Sequence, residues 1–251
     1  MAEPLVLIHG VTATWQAWHR VEELLADDFE VLSVALPGHI DGEPLSGAAT
    51  IEVLCEGVER LMDRAGMETA HLAGNSLGGW LAMELTARGR ARSATLLAPA
   101  GGWTAYDPRM KKIFYGMRRQ LRASRRLLPV MMRIGPVRRF GFRTVAKYGD
   151  RLTREEAITA AQAALFVELD NLLSLADEKA GPYDDPGVPV LLAWCEHDRI
   201  FPERPYGENW RRIAPFAQWR MLPGVGHVPM VDDPALVAQT IRDGIARGSG
   251  G

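Results

Sequence analysis

Ser76 stands in Gly74-Asn75-Ser76-Leu77-Gly78, with a glycine two residues before it and another two residues after. The run His71–Asn75 reads as a short apolar strand and Leu77 onward as the first turn of a helix. A serine at such a bend holds its hydroxyl clear of the sheet, and glycine leaves room for the crowded backbone around it. The helix start supplies free N–H groups and a positive dipole end, which favour negative charge developing at that oxygen. In a chain with 25 glycines the pentapeptide alone decides nothing; its partners must be found elsewhere.

A serine hydroxyl is a poor nucleophile until a base takes its proton, and the base needs an acid to orient it. Of six histidines, His227 lies in Gly224-Val225-Gly226-His227-Val228-Pro229, between the last expected strand and the last helix. That loop falls at the C-terminal edge of the sheet, where Ser76 must also project. The acid should follow a strand on the same edge, and Asp198, after the run Val190–Trp194, does so. Glu196 is too close to its strand. Asp232 and Asp233 read as the start of the last helix, where carboxylates cap and complement the dipole. The order Ser76, Asp198, His227 is that of one particular fold. Two backbone N–H groups should hold the oxyanion: Leu77, directly after the serine, and Val11, in the turn after His9-Gly10.

These residues need a scaffold. Leu5–Ile8, Val31–Ala35, His71–Asn75, Ala94–Ala98, Val190–Trp194 and Gln218–Leu222 read as strands. Helical spacing appears at Trp15–Ala26, from a Thr50 cap to about Ala65, after Ser76, at Tyr206–Ile213 and at Pro234–Ala246. Strands alternate with helices, which predicts a mostly parallel sheet of about six strands with helices on both faces. Far more chain separates Ser76 from Asp198 than the ~60 residues two βαβ steps need. The surplus predicts an inserted helical cap over 102–187, with the core formed by 1–101 and 188–251. Helices are expected around 108–127, 128–148 and 153–179.

At this point the chain resembles the α/β-hydrolase superfamily, in particular its cap-bearing serine esterases and hydrolases. His9-Gly10, Leu36-Pro37-Gly38-His39, Gly74-Asn75-Ser76-Leu77-Gly78-Gly79, Asp198 with Pro202, and His227 carry the resemblance. It implies an α/β-hydrolase fold and cleavage of a carboxylic ester through an acyl-enzyme. Relatives usually begin with one or two further strands, and many carry Asp where this chain has Ala35. Epoxide hydrolases and haloalkane dehalogenases need Asp in place of Ser76. A carbon–carbon bond hydrolase acting on a diketone-like acid shares the Gly-Asn-Ser-x-Gly-Gly elbow and stays open, as does a ligand sensor built on a hydrolase scaffold.

The remaining composition narrows the partners. With 251 residues, 47% hydrophobic, 24% charged and a formal charge of -2, the chain has an ordinary globular make-up and no overall field for nucleic acid. No apolar run reaches the ~20 residues of a membrane span, and no basic leader precedes the first strand. Cys55 and Cys195 form no disulfide framework and no metal-ligand spacing. The expectation is a cytoplasmic enzyme without cofactor or metal, acting on a small-molecule ester, with no nucleic acid and no stable membrane insertion. The cap residues 109–147 are rich in arginine and lysine, read either as a solvated face or as an attractor of an anionic substrate or membrane surface. Trp103 is expected either to line the substrate pocket or to pack between cap and core. The C-terminal Gly248-Ser249-Gly250-Gly251 reads as a flexible end.

Overall fold

A computed structural model describes residues 2–104 and 108–246; the C-terminal Gly248–Gly251 stretch lies outside them. Six parallel strands, β1 (Glu3–Ile8), β2 (Phe29–Val34), β3 (Ala70–Asn75), β4 (Ala91–Leu97), β5 (Val190–Cys195) and β6 (Gln218–Leu222), form one sheet in the order β2-β1-β3-β4-β5-β6. Strands β3 and β5 are buried along their whole length, which is why they read as continuous apolar runs with no alternation.

The chain steps one way from β1 to β2 and the other way from β3 onward. Right-handed crossovers then assign α1 (His19–Leu25) to one face and α2 (Ile51–Arg64) and α3 (Leu77–Ala87) to the other. After α9 (Glu208–Ile213) and α10 (Pro229–Asp232), the terminal α11 (Pro234–Ala246) packs on α1 and β4. The strand order reverses between β1 and β3. That switch point is where an open α/β sheet leaves a crevice at the carboxyl ends of its strands, and it is where Ser76 stands.

Local signals account for the helix ends. Thr50 Oγ1 accepts from Val53 N at 3.2 Å and caps α2. Asp233 Oδ1 accepts from Leu236 N at 2.9 Å and caps α11. Trp15–Trp18 is a 3₁₀ turn that leads into α1, so the first helix is split.

Between β4 and β5 the described chain contains helices and no strand. These are α4 (Pro108–Ser124), α5 (Leu128–Met131), α6 (Gly135–Phe142), α7 (Arg154–Phe166) and α8 (Leu169–Leu172), followed by a 3₁₀ turn Leu173–Asp177. Thr153 and Glu156 form a reciprocal capping box at the start of α7. The expected second and third helices are each broken: Pro136 starts α6 afresh after Ile134, and α7 ends at Phe166. Arg20 ties this layer to α1 through a paired contact with Glu156, at 2.5 and 2.7 Å.

Candidate active site

Strand β3 runs straight into α3, and Ser76 takes the bend with φ 59° and ψ −118°. A non-glycine residue in this region costs on the order of 1–3 kcal/mol and survives only where its surroundings enforce it. The glycines are part of that enforcement. A Cβ on Gly74 would sit 2.0 Å from the Gly78 carbonyl oxygen, and one on Gly78 would sit 2.1 Å from that of Ile8. Thus β1, β3 and α3 meet backbone to backbone beneath the serine, whose amide donates to Leu97 O at 3.0 Å.

The turn after β1 presses on the same point. Ala13 N donates to Gly10 O at 3.1 Å, and a Cβ on Gly10 would lie 3.2 Å from Ser76 Cβ and 3.7 Å from its Oγ. Val11 and Leu77 border one small cavity together with Ser76. Two buried histidines brace this turn. His9 Nδ1 donates to Gly10 O at 2.9 Å while Nε2 accepts from Leu36 N at 3.3 Å. His39 lies with its ring 4.8 Å from that of His9 and with Nε2 2.9 Å from Val11 O. Burial, and secondarily the neighbouring His39, pushes the pKa of His9 down to about 3. Burial likewise lowers that of His39. His9 is therefore neutral at pH 7, and both rings act as struts.

On the other side, His227 Nδ1 meets Asp198 Oδ2 at 2.7 Å, both side chains being buried. The second oxygen, Oδ1, accepts from the amides of Ile200 and Phe201 at 2.8 and 2.7 Å. With Nδ1 committed to the carboxylate, Nε2 is the nitrogen left to receive a proton. Asn75 Nδ2 donates to His227 O at 2.9 Å and to Leu97 O at 3.1 Å, tying the histidine loop to the residue before the serine. Phe201 packs on the His227 ring, 5.2 Å between centroids, and lines the small cavity with Ser76. Glu196 is exposed and instead accepts from Gly224 N.

Asp232 departs from expectation. It is fully buried, and its carboxylate accepts from Lys147 N (2.9 Å), Tyr148 N (2.6 Å) and Gly226 N (2.7 Å). It does not cap the last helix, which is left to Asp233. Its role is to clamp the loop before His227 to the inserted helices. Nothing in its local sequence signals this, because two of its three amide partners lie 84 and 85 residues away in the chain. Asn75 was equally silent.

Trp103 lies between the aromatic rings of the core and the segment before β5. Its indole N–H donates to Glu178 O at 2.6 Å, and its ring packs between Trp80 and Phe201 while bordering the cavity at Ser76. The basic residues of 109–147 border neither that cavity nor a larger one beside it. Arg118 pairs with Asp170, Lys111 with Asp177 and Arg139 with Asp150, and Arg143 lies over Phe140.

Residues 5–240 match the model of the alpha/beta hydrolase family. The chain belongs to that family. It is 32% identical over 197 residues to the epoxide hydrolase EphH of Mycobacterium tuberculosis, covering 75% of this chain and 92% of that protein. In structure it resembles a thermophilic esterase from Thermogutta terrifontis, with a TM-score of 0.74, 23% identity and coverage of 99% and 91%. It also resembles carboxylesterase CesB of Bacillus subtilis, with a TM-score of 0.70, 20% identity and coverage of 98% and 84%. Family and relatives together support a hydrolase; the bond it cleaves must be argued from the site.

Proposed function

We propose that the protein is a serine esterase. The observation that carries this reading is a serine on a strained strand-to-helix bend whose preceding residue, Asn75, ties down the loop of a histidine with Nδ1 held by a buried carboxylate. Ser76 Oγ attacks the ester carbonyl as His227 Nε2 takes its proton. The Val11 and Leu77 amides receive the oxyanion. When the tetrahedral intermediate collapses, the C–O bond to the alcohol breaks and His227 returns the proton to the departing oxygen. A water, deprotonated in turn by His227, attacks the Ser76 ester and releases the acid. Asp198 keeps the imidazole in the required tautomer and stabilises it when protonated.

The same logic argues against epoxide opening as the reaction of this chain, whatever its mycobacterial relative does. A carboxylate that opens an epoxide forms an ester, which water can cleave; a serine would form an ether, which it cannot. The diketone-acid reading loses its support as well, because no basic side chain from 109–147 borders the cavity at Ser76.

The test compares 4-nitrophenyl acetate and styrene oxide as substrates for the unaltered protein and for Ser76→Ala. The proposal expects ester turnover, no epoxide turnover, and a loss of about 10⁴-fold or more in kcat for the variant with its fold retained. Epoxide turnover that survives in Ser76→Ala would overturn it.

A further inference from the structure

Two cavities of very different size lie under α4, one of them bordered by the serine. The one that Ser76 itself borders measures about 40 Å³ and is lined by Leu77, Trp80, Trp103, Phe114 and Phe201. A second, of about 550 Å³, excludes Ser76 but starts one residue further along each catalytic loop, at Thr12 after Val11 and at Val228 after His227. Helix α4 roofs both. Met110 and Phe114 lie over the small one, and Met117 and Leu121, further along the same apolar stripe, lie over the large one. The large cavity exists because α7 presents alanines, Ala160, Ala161 and Ala164, where bulkier residues would meet α4. It runs out to the surface beside Phe140, which is 60% exposed.

Resting on the serine-esterase reading above, we propose that the substrate is an ester of a short acid with a long apolar alcohol. The nucleophile and both oxyanion donors border the small cavity, so the acyl carbon bonded to Oγ, and whatever it carries, must sit there. At about 40 Å³ against about 550 Å³ for the large one, the small cavity suits a short acyl group such as acetyl or propionyl. The leaving oxygen collects its proton from His227, and the next residue, Val228, opens into the large cavity. That cavity lies within the range of about 300–1,000 Å³ typical of sites for whole ligands, and its walls are largely apolar. The reaction is the one already written: the acyl group passes to Ser76 and then to water, and the alcohol leaves with the serine proton.

Isomeric esters separate the two cavities, since octyl acetate and ethyl octanoate have the same formula and the same bulk hydrophobicity. In a pH-stat assay, kcat/KM should rise along ethyl, butyl, hexyl and octyl acetate, by up to about fourfold per buried methylene. It should fall along the ethyl esters once the acid is longer than propionate, so that octyl acetate exceeds ethyl octanoate at least tenfold. Ala161→Phe, which fills the large cavity from α7, should lower the octyl-to-ethyl acetate ratio at least tenfold; Leu121→Trp makes the same test from α4 should the first variant fail to fold. Faster cleavage of ethyl octanoate, or acetate rates indifferent to alcohol length, would overturn the assignment while leaving the esterase reading intact. Absence of turnover on every ester, with Ser76 unreactive to a fluorophosphonate, would instead remove the esterase reading and the assignment with it.

Discussion

Asp198 uses both of its oxygens, one on the His227 ring and one on the amides of Ile200 and Phe201. The amide contacts fix the carboxylate, and the carboxylate fixes the ring. In Asp198→Asn the amide oxygen can serve either the two backbone N–H groups or the imidazole, but not both in the present geometry. The side-chain NH₂ would then favour the wrong tautomer. The expected outcome is a fall in kcat of about 10³–10⁴-fold, with Glu196→Gln remaining near the unaltered rate because Glu196 is exposed. Steady-state kinetics of the two variants check this. At this scale the sequence was informative where position after a strand decides placement: the bend at Ser76 and the contact between His227 and Asp198 follow from strand ends and the flanking glycines. It was uninformative for Asn75 and Asp232, because a side chain that bonds to distant backbone leaves no spacing to read.

Elements differ in the same way. Strands β3 to β6 and helices α2 and α11 have apolar patterns or caps contained within their own few residues, so their existence and most of their ends follow from local sequence. The helices between β4 and β5 do not. A continuous run of helical spacing through 128–148 hides the restart at Pro136, and that through 153–179 hides the end of α7 at Phe166. What joins this layer to the catalytic edge is Asp232, with Val228 N donating to Val145 O at 2.8 Å beside it. Asp232→Asn puts an NH₂ group against backbone donors, and leaving one of them unsatisfied costs about 1–3 kcal/mol. Asp233→Asn should be nearly neutral, since Asn caps helices as well as Asp does. Melting temperatures of the two variants decide the matter, and an equal, small effect of both would remove Asp232 from the junction.

For the whole molecule, the buried His9 makes acid a specific threat. His9 binds its proton at about pH 3 in the folded protein but near 6.5 when unfolded, so the unfolded state takes up the proton first as pH falls. Its contribution is therefore favourable to folding at neutral pH and is lost progressively between about pH 6.5 and 3. One pK unit corresponds to about 1.4 kcal/mol, so at pH 5 the loss from His9 is about 2 kcal/mol. Urea unfolding at pH 7 and pH 5 should show that loss, and His9→Gln should show a correspondingly smaller one; the same pH dependence in both proteins would place the acid sensitivity elsewhere. The central claim, that Ser76 carries the acyl group, has the most direct measurement. The protein is mixed with 4-nitrophenyl acetate, quenched in acid within the first turnover and digested for mass spectrometry. The account predicts one acetyl group on the peptide containing Ser76, released on further incubation and absent from Ser76→Ala. Turnover with acetyl on another residue, or with none on Ser76 at any time in a quench series that resolves the first turnover, would contradict it.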